Sequence, residues 1–246
     1  MSLPTQPKKT VYLVFDIETA GKDLHHSFLA VGMCYGDFEK GVICDEVLAV
    51  NDGKGINFEP RCLYEFWSKH LDVLKALEKA GKPIDLQMDR LRDWLSWFDN
   101  EYKDYNVKIL SDNPAFDIAR LDHHFVRESR GHSVRYSRSG IYRSIEDPSE
   151  RLEALLLTET ANKIIPDLIP NYVPHNPSSD AQYIFWQHVI ASAATNMLRD
   201  GKKGCKSLQD VRQYLEKIAP WGELIPESKN LFKNILLSLA RGEQIQ

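Results

Sequence analysis

The stretch Val11-Tyr12-Leu13-Val14-Phe15-Asp16-Ile17-Glu18-Thr19 decides the fold of this chain, because an apolar run ends there in two carboxylates. Its β-branched and aromatic residues predict a buried strand, since such side chains favour a pleated, half-buried surface. Successive side chains of a strand alternate, so Asp16 and Glu18 point to the same face. Two carboxylates this close repel each other unless a cation lies between them. The stretch therefore predicts a strand whose end carries part of a metal site.

The composition limits the classes of protein to which the chain can belong. It has 246 residues, of which 43% are hydrophobic, enough for one large domain or a domain with an appendage. The formal net charge of −4 excludes a molecule that is basic overall, although a local basic patch would still bind nucleic acid. The 4 cysteines are scattered without a Cys-x-x-Cys pair, so we expect neither a zinc cluster nor a disulfide framework.

The sequence lacks the patterns typical of a secretion signal or a membrane span. Residues 1–10 are polar and rich in proline and lysine, so we expect a disordered or tag-like N-terminus. No stretch reaches the ~18 apolar residues of a transmembrane helix. We therefore expect a cytoplasmic protein without a membrane partner. Its oligomeric state is open, and a homodimer is one assembly that the sequence permits.

Alternation and turn residues predict the order of the elements. Strands are expected at residues 11–19, 28–35, 41–50, 107–110 and 140–145. Helices are expected at residues 62–80, 86–102, 114–129, 150–165, 178–198, 207–218 and 227–240. The first three strands have short links, which predict an antiparallel meander. The whole order predicts an α/β fold with a mixed five-stranded sheet flanked by helices.

A proline-rich loop and a glycine-containing break divide the second half of the chain. The loop at residues 166–177 contains four prolines, and Ser178 or Ser179 is expected to cap the helix that follows it. The break at residues 201–204 separates a main domain at residues 11–200 from a helical C-terminal extension at residues 201–246, which we expect to pack on it.

Two later segments carry acidic residues in suitable surroundings. In Asp112-Asn113-Pro114-Ala115-Phe116-Asp117, proline suits the first turn of a helix and asparagine its cap, so Asp117 lies one turn into that helix. An Asp at that position also complements the helix dipole, which is the simpler interpretation of Asp117 by itself. Of the 8 histidines, only His175 is followed by Asp five residues later, at Asp180. His175 lies in the loop, and Asp180 lies in the first turn of the next helix.

Three motifs, in this order and at these separations, resemble those of the DnaQ-like 3′–5′ exonucleases with an Asp-Glu-Asp-Asp-His (DEDDh) active site, in the ribonuclease H-like superfamily. The motifs are Asp16-x-Glu18, Asn113-x-x-Phe116-Asp117 and His175-x4-Asp180-Ala181. The resemblance spans residues 10–190, and residues 66–98 are similar to a branch with a helical insertion before the second motif. Asp112 departs from the pattern, because the family often has His there, and this leaves the substrate contacts at Asp112 open.

The resemblance implies a ribonuclease H-like fold and metal-dependent hydrolysis from the 3′ end of single-stranded RNA or DNA. It implies that four carboxylates hold two Mg²⁺ or Mn²⁺ ions; these are Asp16, Glu18, Asp117 and Asp180. Oxygen ligands suit these hard ions better than zinc, and two ions about 4 Å apart can activate water and stabilise the leaving 3′ oxygen. His175 would be the general base, because an imidazole has an ordinary pKa near 6.5.

Further residues are expected to contact the substrate. The resemblance assigns the terminal nucleotide to Thr19, Ala20, Gly21, Asn113 and Phe116. Phe116 is consistent both with stacking on a base and with a place in the core. The basic segment at residues 127–143 contains interleaved tyrosines and is suited to phosphate contacts, although a solvated loop has the same composition.

Two other functions share parts of this pattern. A haloacid-dehalogenase-like phosphohydrolase also opens on a strand followed by Asp-x-acid-Thr, but it expects Asp where Glu18 stands and a late Gly-Asp-x-x-x-Asp motif, which is missing. A non-catalytic, exonuclease-like binding or scaffold module would be expected to lack one of the five groups, and all five are present. Release of mononucleotides from labelled substrates distinguishes an enzyme from a scaffold.

Overall fold

The computed structural model describes residues 8–128, 145–219 and 226–243. The expected disordered N-terminus therefore lies almost wholly outside the described residues. Of the predicted basic segment, Arg127 is described and pairs with Glu128, whereas its other arginines and both tyrosines lie outside.

A mixed sheet forms the centre of the fold, with five strands in the order β3–β2–β1–β4–β5. The strands are β1 (Thr10–Thr19), β2 (Phe28–Asp37), β3 (Gly41–Ala49), β4 (Asn106–Leu110) and β5 (Ile145–Glu146). The first three form the predicted antiparallel meander, β4 runs parallel to β1, and β5 runs parallel to β4. The predicted α/β class with a mixed, five-stranded sheet is confirmed.

Helices cover both faces of the sheet. They are α1 (Pro60–Glu65), α2 (Leu71–Ala80), α3 (Ile84–Glu101), α4 (Pro114–Glu128), α5 (Pro148–Ala154), α6 (Thr158–Leu168), α7 (Pro177–Asp200), α8 (Leu208–Ile218) and α9 (Pro226–Ala240). One sheet face packs on α3 and α4, and the other packs on the helices from α5 to α9. Within the described ranges, no helix is long and apolar enough to cross a membrane.

The side chains of β1 alternate between these two cores. Val11, Leu13 and Phe15 are buried against α3 and α4, whereas Tyr12 and Val14 are buried with α7. Asp16 and Glu18 continue the second series, so the strand period points both carboxylates toward α7. This is the same-face geometry that the sequence predicts.

Two predicted helices are wrong in their extent because each is divided. The predicted helix 62–80 consists of α1, a short 3₁₀ turn at Trp67–Lys69, and α2. The predicted helix 150–165 consists of α5 and α6, and Leu156 between them adopts a left-handed φ of 53°. This turn leaves Leu156 74% exposed while Leu152 and Leu157 on either side are buried, so both short helices place their apolar faces in the core.

The predicted boundaries before α7 are also wrong. Pro166 does not begin a loop but lies inside α6, where Ile164, Ile165 and Leu168 are buried together and keep the chain helical to Leu168. The cap of α7 is Asn176 rather than Ser178 or Ser179, because its side chain accepts hydrogen bonds from the backbone N–H groups of both serines. Proline at the next position suits the first turn, since its missing N–H would have had no helical partner.

The C-terminal helices pack on α7. Phe232 and Leu236 of α9 and Val211 and Leu215 of α8 belong to the same buried cluster as the apolar face of α7. Gly201 ends α7 with a left-handed φ of 58°, and Ser207 begins α8 with a reciprocal capping box.

Candidate metal centre

Three elements bring the predicted acidic side chains together beside the C-terminal end of β1. The ligand atoms of Asp16, Asp112 and Asp117 lie within 4.8 Å of one another, and those of Glu18, His175 and Asp180 do the same. Because Asp16 and Glu18 are neighbours on one face of β1, the two groups adjoin. All four predicted carboxylates and the predicted base thus meet in one region.

The register between β1 and β4 explains how Asp117 reaches this region. Val14 pairs with Leu110, so the chain after Leu110 continues alongside β1 toward Asp16. Ser111 follows there, and its Oγ donates a hydrogen bond of 2.6 Å to Oδ2 of Asp117. The Asp117 side chain is only 3% exposed, so this bond fixes a buried carboxylate at the start of α4.

A close approach of α7 to the sheet brings in Asp180. Gly32 of β2 pairs with Asp16, and a β-carbon at Gly32 would lie 2.6 Å from Cβ of Pro177 and nearer still to the Pro177 carbonyl group. Only glycine leaves room for Pro177, the first residue of α7, at this point. Asp180 follows one turn later, facing the strand that carries Asp16.

The electrostatics of β1 favour a cation. Burial raises the pKa of Asp16 well above its ordinary value, and the neighbouring carboxylates, Glu18 first, raise it further. Burial and the carboxylates of Asp180, Asp117 and Asp112 raise the pKa of Glu18 in the same way. A cation between these carboxylates would relieve their mutual repulsion.

The two helix-borne carboxylates are shifted for the same main reason. Burial raises the pKa of Asp117 to about 7, against the opposing hydrogen bond from Ser111. Burial also raises the pKa of Asp180 to about 7, although hydrogen bonds with the His175 backbone and the Tyr172 side chain oppose the rise. Both groups would be largely ionised at neutral pH only if an external charge compensated them.

One buried oxygen of the cluster indicates whether a metal ion would fit here. Oδ2 of Asp16 is buried, and within the described structure it has no hydrogen-bond partner. Leaving a buried polar atom unpaired is costly, and a bound ion is one of the partners that removes this cost. Carboxylate oxygens are the ligands that Mg²⁺ and Mn²⁺ prefer. The residues present therefore fit the expected ions.

His175 lies beside the carboxylates in an unusual backbone conformation. It has a left-handed φ of 61°. Burial, and then the neighbouring His70, lower the pKa of its imidazole below the ordinary value. A lowered pKa keeps the ring neutral at pH 7, which is the form that can accept a proton.

Two residues of the region escape prediction from sequence. Asp112 lies in the group with Asp16 and Asp117. Although Asp112 is exposed as a residue, partial burial of its carboxyl and the nearby Asp147 raise its pKa. The side chain of Tyr172 acts on Asp180 and lowers the pKa of its carboxyl. Asp112 had a signal, since it lies two residues after the end of β4, but for Tyr172 the sequence offers none.

A cleft of about 430 Å³ opens next to Glu18. Thr19, Gly21 and Phe116, three of the five predicted substrate contacts, line it together with Phe66 and Arg61. The other two predicted contacts, Ala20 and Asn113, are not among the described residues that line it. Ala20 is fully buried, and its backbone N–H and C=O pair with Ser27 and Glu59. Asn113 is exposed.

No protein-family model matches the chain. A search of curated proteins also finds no match.

Proposed function

We propose that this chain is a metal-dependent 3′–5′ exonuclease of ribonuclease H-like fold, which hydrolyses phosphodiester bonds from the 3′ end of single-stranded RNA or DNA. One observation carries the proposal. Carboxylates from β1, α4 and α7 converge with a histidine, and a buried oxygen of Asp16 among them has no partner among the described residues. The order of the strands and the parallel pairing of β1 with β4 are compatible with that fold.

The residues divide into ligands and a base. Asp16, Glu18, Asp117 and Asp180 would hold two Mg²⁺ or Mn²⁺ ions, with Asp112 adjacent to Asp16 and Asp117. Such ions supply positive charge for the attacking water and for the leaving 3′ oxygen. His175 would take the proton of the attacking water, since burial and His70 lower the pKa of its imidazole and keep it neutral.

The cleft beside Glu18 would hold the terminal nucleotide. Phe116 and Phe66 offer aromatic rings there, and stacking on a ring tolerates any base. Arg61 at the cleft is a candidate partner for a phosphate. The choice between RNA and DNA depends on contacts to the 2′-hydroxyl, so both substrates belong in the test.

The test uses single-stranded RNA and DNA with a label at the 3′ or the 5′ end, in Mg²⁺, Mn²⁺ or EDTA. We expect immediate release of 3′-labelled mononucleotide, a shortening ladder from the 5′ label, and no reaction in EDTA. Asp16→Asn, purified in parallel, should be inactive, which excludes a contaminating nuclease. Absence of mononucleotide release under every condition would refute the proposal and favour a non-catalytic binding or scaffold module.

A further inference from the structure

The segment between β3 and α3 is anchored to the strand that carries Asp16 and Glu18. Trp67 in this segment is fully buried, and its Nε1 donates a hydrogen bond of 3.0 Å to the backbone oxygen of Thr19. Thr19 directly follows Glu18, so this bond sets the position of the segment relative to the metal centre. Two side chains close to the anchor, those of Phe66 and His70, extend from it to His175.

The rings of Phe66 and His70 pack against the ring of His175. The centroids of His70 and His175 are 4.1 Å apart with the rings at 62°, and those of Phe66 and His175 are 4.5 Å apart at 75°. Phe66 and His70 also contact each other, at 5.1 Å. A ring nitrogen of His175 lies within 4.8 Å of the ligand atoms of Glu18 and Asp180. The imidazole is thus held between two rings and two carboxylates.

The backbone of His175 shows that its position needs support. Its left-handed φ of 61° is costly for a residue with a β-carbon, and such strain persists where the surroundings fix it. The next residue, Asn176, donates its backbone N–H to the backbone oxygen of Val173, and this bond holds the main chain. That bond does not restrain rotation about the side-chain bonds, whereas edge-to-face contact with two rings does.

We propose that His70 is a positioning residue whose ring holds the imidazole of His175 in the orientation that faces Glu18 and Asp180. The inference rests on the proposed function, because it assigns His175 a part in hydrolysis. It reaches beyond the three motifs, since His70 belongs to the segment between the first and second of them. Phe66 makes a similar contact but also lines the cleft, whereas His70 is not among the described residues that do. His70 therefore allows the cleaner test.

The first experiment measures kcat and KM on a single-stranded oligonucleotide for the wild type, His70→Ala and His70→Phe. We expect His70→Ala to lower kcat about 10-fold or more with little change in KM, because a misoriented base affects the chemical step rather than binding. His70→Phe should restore most of the loss, since it keeps an aromatic ring. Leu71→Ala, which removes an exposed side chain from the same turn, is the control for weakened helix packing.

Several outcomes would overturn the proposal. An unchanged kcat in His70→Ala would do so, and so would a rise in KM alone. Equal damage from His70→Phe and His70→Ala would indicate that the imidazole of His70 acts chemically rather than by packing. A comparable loss of kcat in Leu71→Ala would show that the loss in His70→Ala comes from weakened packing of α2.

A second readout does not depend on activity. By NMR, the ring protons of His175, assigned by comparison with His175→Asn, should carry ring-current shifts that His70→Ala reduces and His70→Phe largely keeps. If the wild type releases no nucleotide but these shifts change as expected, the proposed function fails and the positioning contact stands. If the His175 resonances are the same in His70→Ala, the positioning contact fails, whatever the activity.

Discussion

Gly32 lies opposite Asp16 in the sheet and directly against Pro177, the first residue of α7. The missing side chain of Gly32 is what allows α7 to approach the strands so closely. The distance between the helix that carries Asp180 and the strand that carries Asp16 therefore depends on the absence of a side chain at Gly32.

Gly32→Ala should disturb both stability and the metal centre. The added methyl group overlaps Pro177, and overpacking of this kind typically costs about 1–3 kcal/mol of the free energy of unfolding. Displacement of α7 moves Asp180 away from Glu18, so the rise in melting temperature on adding Mg²⁺ should shrink or vanish. Thermal unfolding with and without Mg²⁺ measures both effects.

Gly201→Ala is the matched control for that variant. Gly201 has a left-handed φ of 58° with nothing within 4 Å of an added β-carbon, so the substitution strains only the end of α7. We expect the free energy of unfolding to fall by a comparable amount, about 1–2 kcal/mol. The rise in melting temperature on adding Mg²⁺ should be unchanged. Equal Mg²⁺ responses in the two alanine variants would show that the clearance at Gly32 does not control the site.

Asp117→Asn should stabilise the metal-free protein and abolish its response to metal. The substitution removes a buried carboxylate whose pKa is raised to about 7, and it retains an oxygen that can accept the hydrogen bond from Ser111. At pH 8 the melting temperature without metal should rise above that of the wild type, and Mg²⁺ should add little. Asp104→Asn, at an exposed position, should change neither value. A lower melting temperature in metal-free Asp117→Asn would contradict the repulsion described for the cluster.

The stability of the metal-free protein should fall as the pH rises from about 4 to about 7. Asp117 and Asp180 have folded-state pKa values raised to about 7, against about 3.9 in an unfolded chain. Between these values the folded state binds more protons, so this contribution is complete below pH 4 and is lost as the pH passes through 7. Metal binding displaces the same protons, so the Mg²⁺-induced rise in melting temperature should be larger at pH 8 than at pH 5.

A comparison with Asp117→Asn isolates this effect from buried histidines. Burial lowers the pKa of His188 to about 3, and burial with nearby cationic groups lowers that of His124 to about 4. These groups cost stability as the pH falls below about 6.5, the opposite direction. The wild type and Asp117→Asn share both histidines and Asp180, so their difference in melting temperature against pH reports the carboxyl of Asp117. A difference that does not vary between pH 5 and pH 8 would count against the raised pKa of Asp117.

His175→Asn should lower turnover while metal binding persists. Asparagine tolerates the left-handed backbone of this residue but cannot act as a general base. Loss of a general base typically costs about 10²–10⁴-fold in rate. The Mg²⁺-induced rise in melting temperature should remain close to that of the wild type, since four carboxylates are unchanged. Near-normal turnover would remove His175 from the mechanism, and His123→Ala serves as the control for loss of a histidine elsewhere.

Local patterns predicted most of the sheet, and long-range contacts explain what they missed. The period of β1 was enough to point Asp16 and Glu18 to one face, because strand alternation is a local property. Asp112 could be linked to Asp16 only through the pairing of Val14 with Leu110, which a single sequence does not display. No sequence pattern predicts the contact of His70 with His175, because it depends on the long-range hydrogen bond between Trp67 and Thr19.

The divided helices show a second limit. Leu155, Leu156 and Leu157 read as part of one helix, since leucine is a good helix former. The left-handed turn at Leu156 is set by what the flanking residues bury against α7, so tertiary packing overrides local preference. The prediction of Ser178 or Ser179 as the cap of α7 overlooked a local signal, since Asn176 is a good capping residue and Pro177 after it suits the first helical position.

The central position of α7 has a consequence for the order in which the protein matures during synthesis. Fourteen of its side chains are buried, among strands and helices on both sides of it in the sequence. A ribosome translates Asp16 and Glu18 early, but Asp180 only after most of the chain has emerged. The nascent polypeptide therefore holds an incomplete ligand set until residues 177–200 have left the exit tunnel and docked. If the proposed function is right, hydrolysis would begin only after α7 has covered its face of the sheet and completed the set of metal ligands.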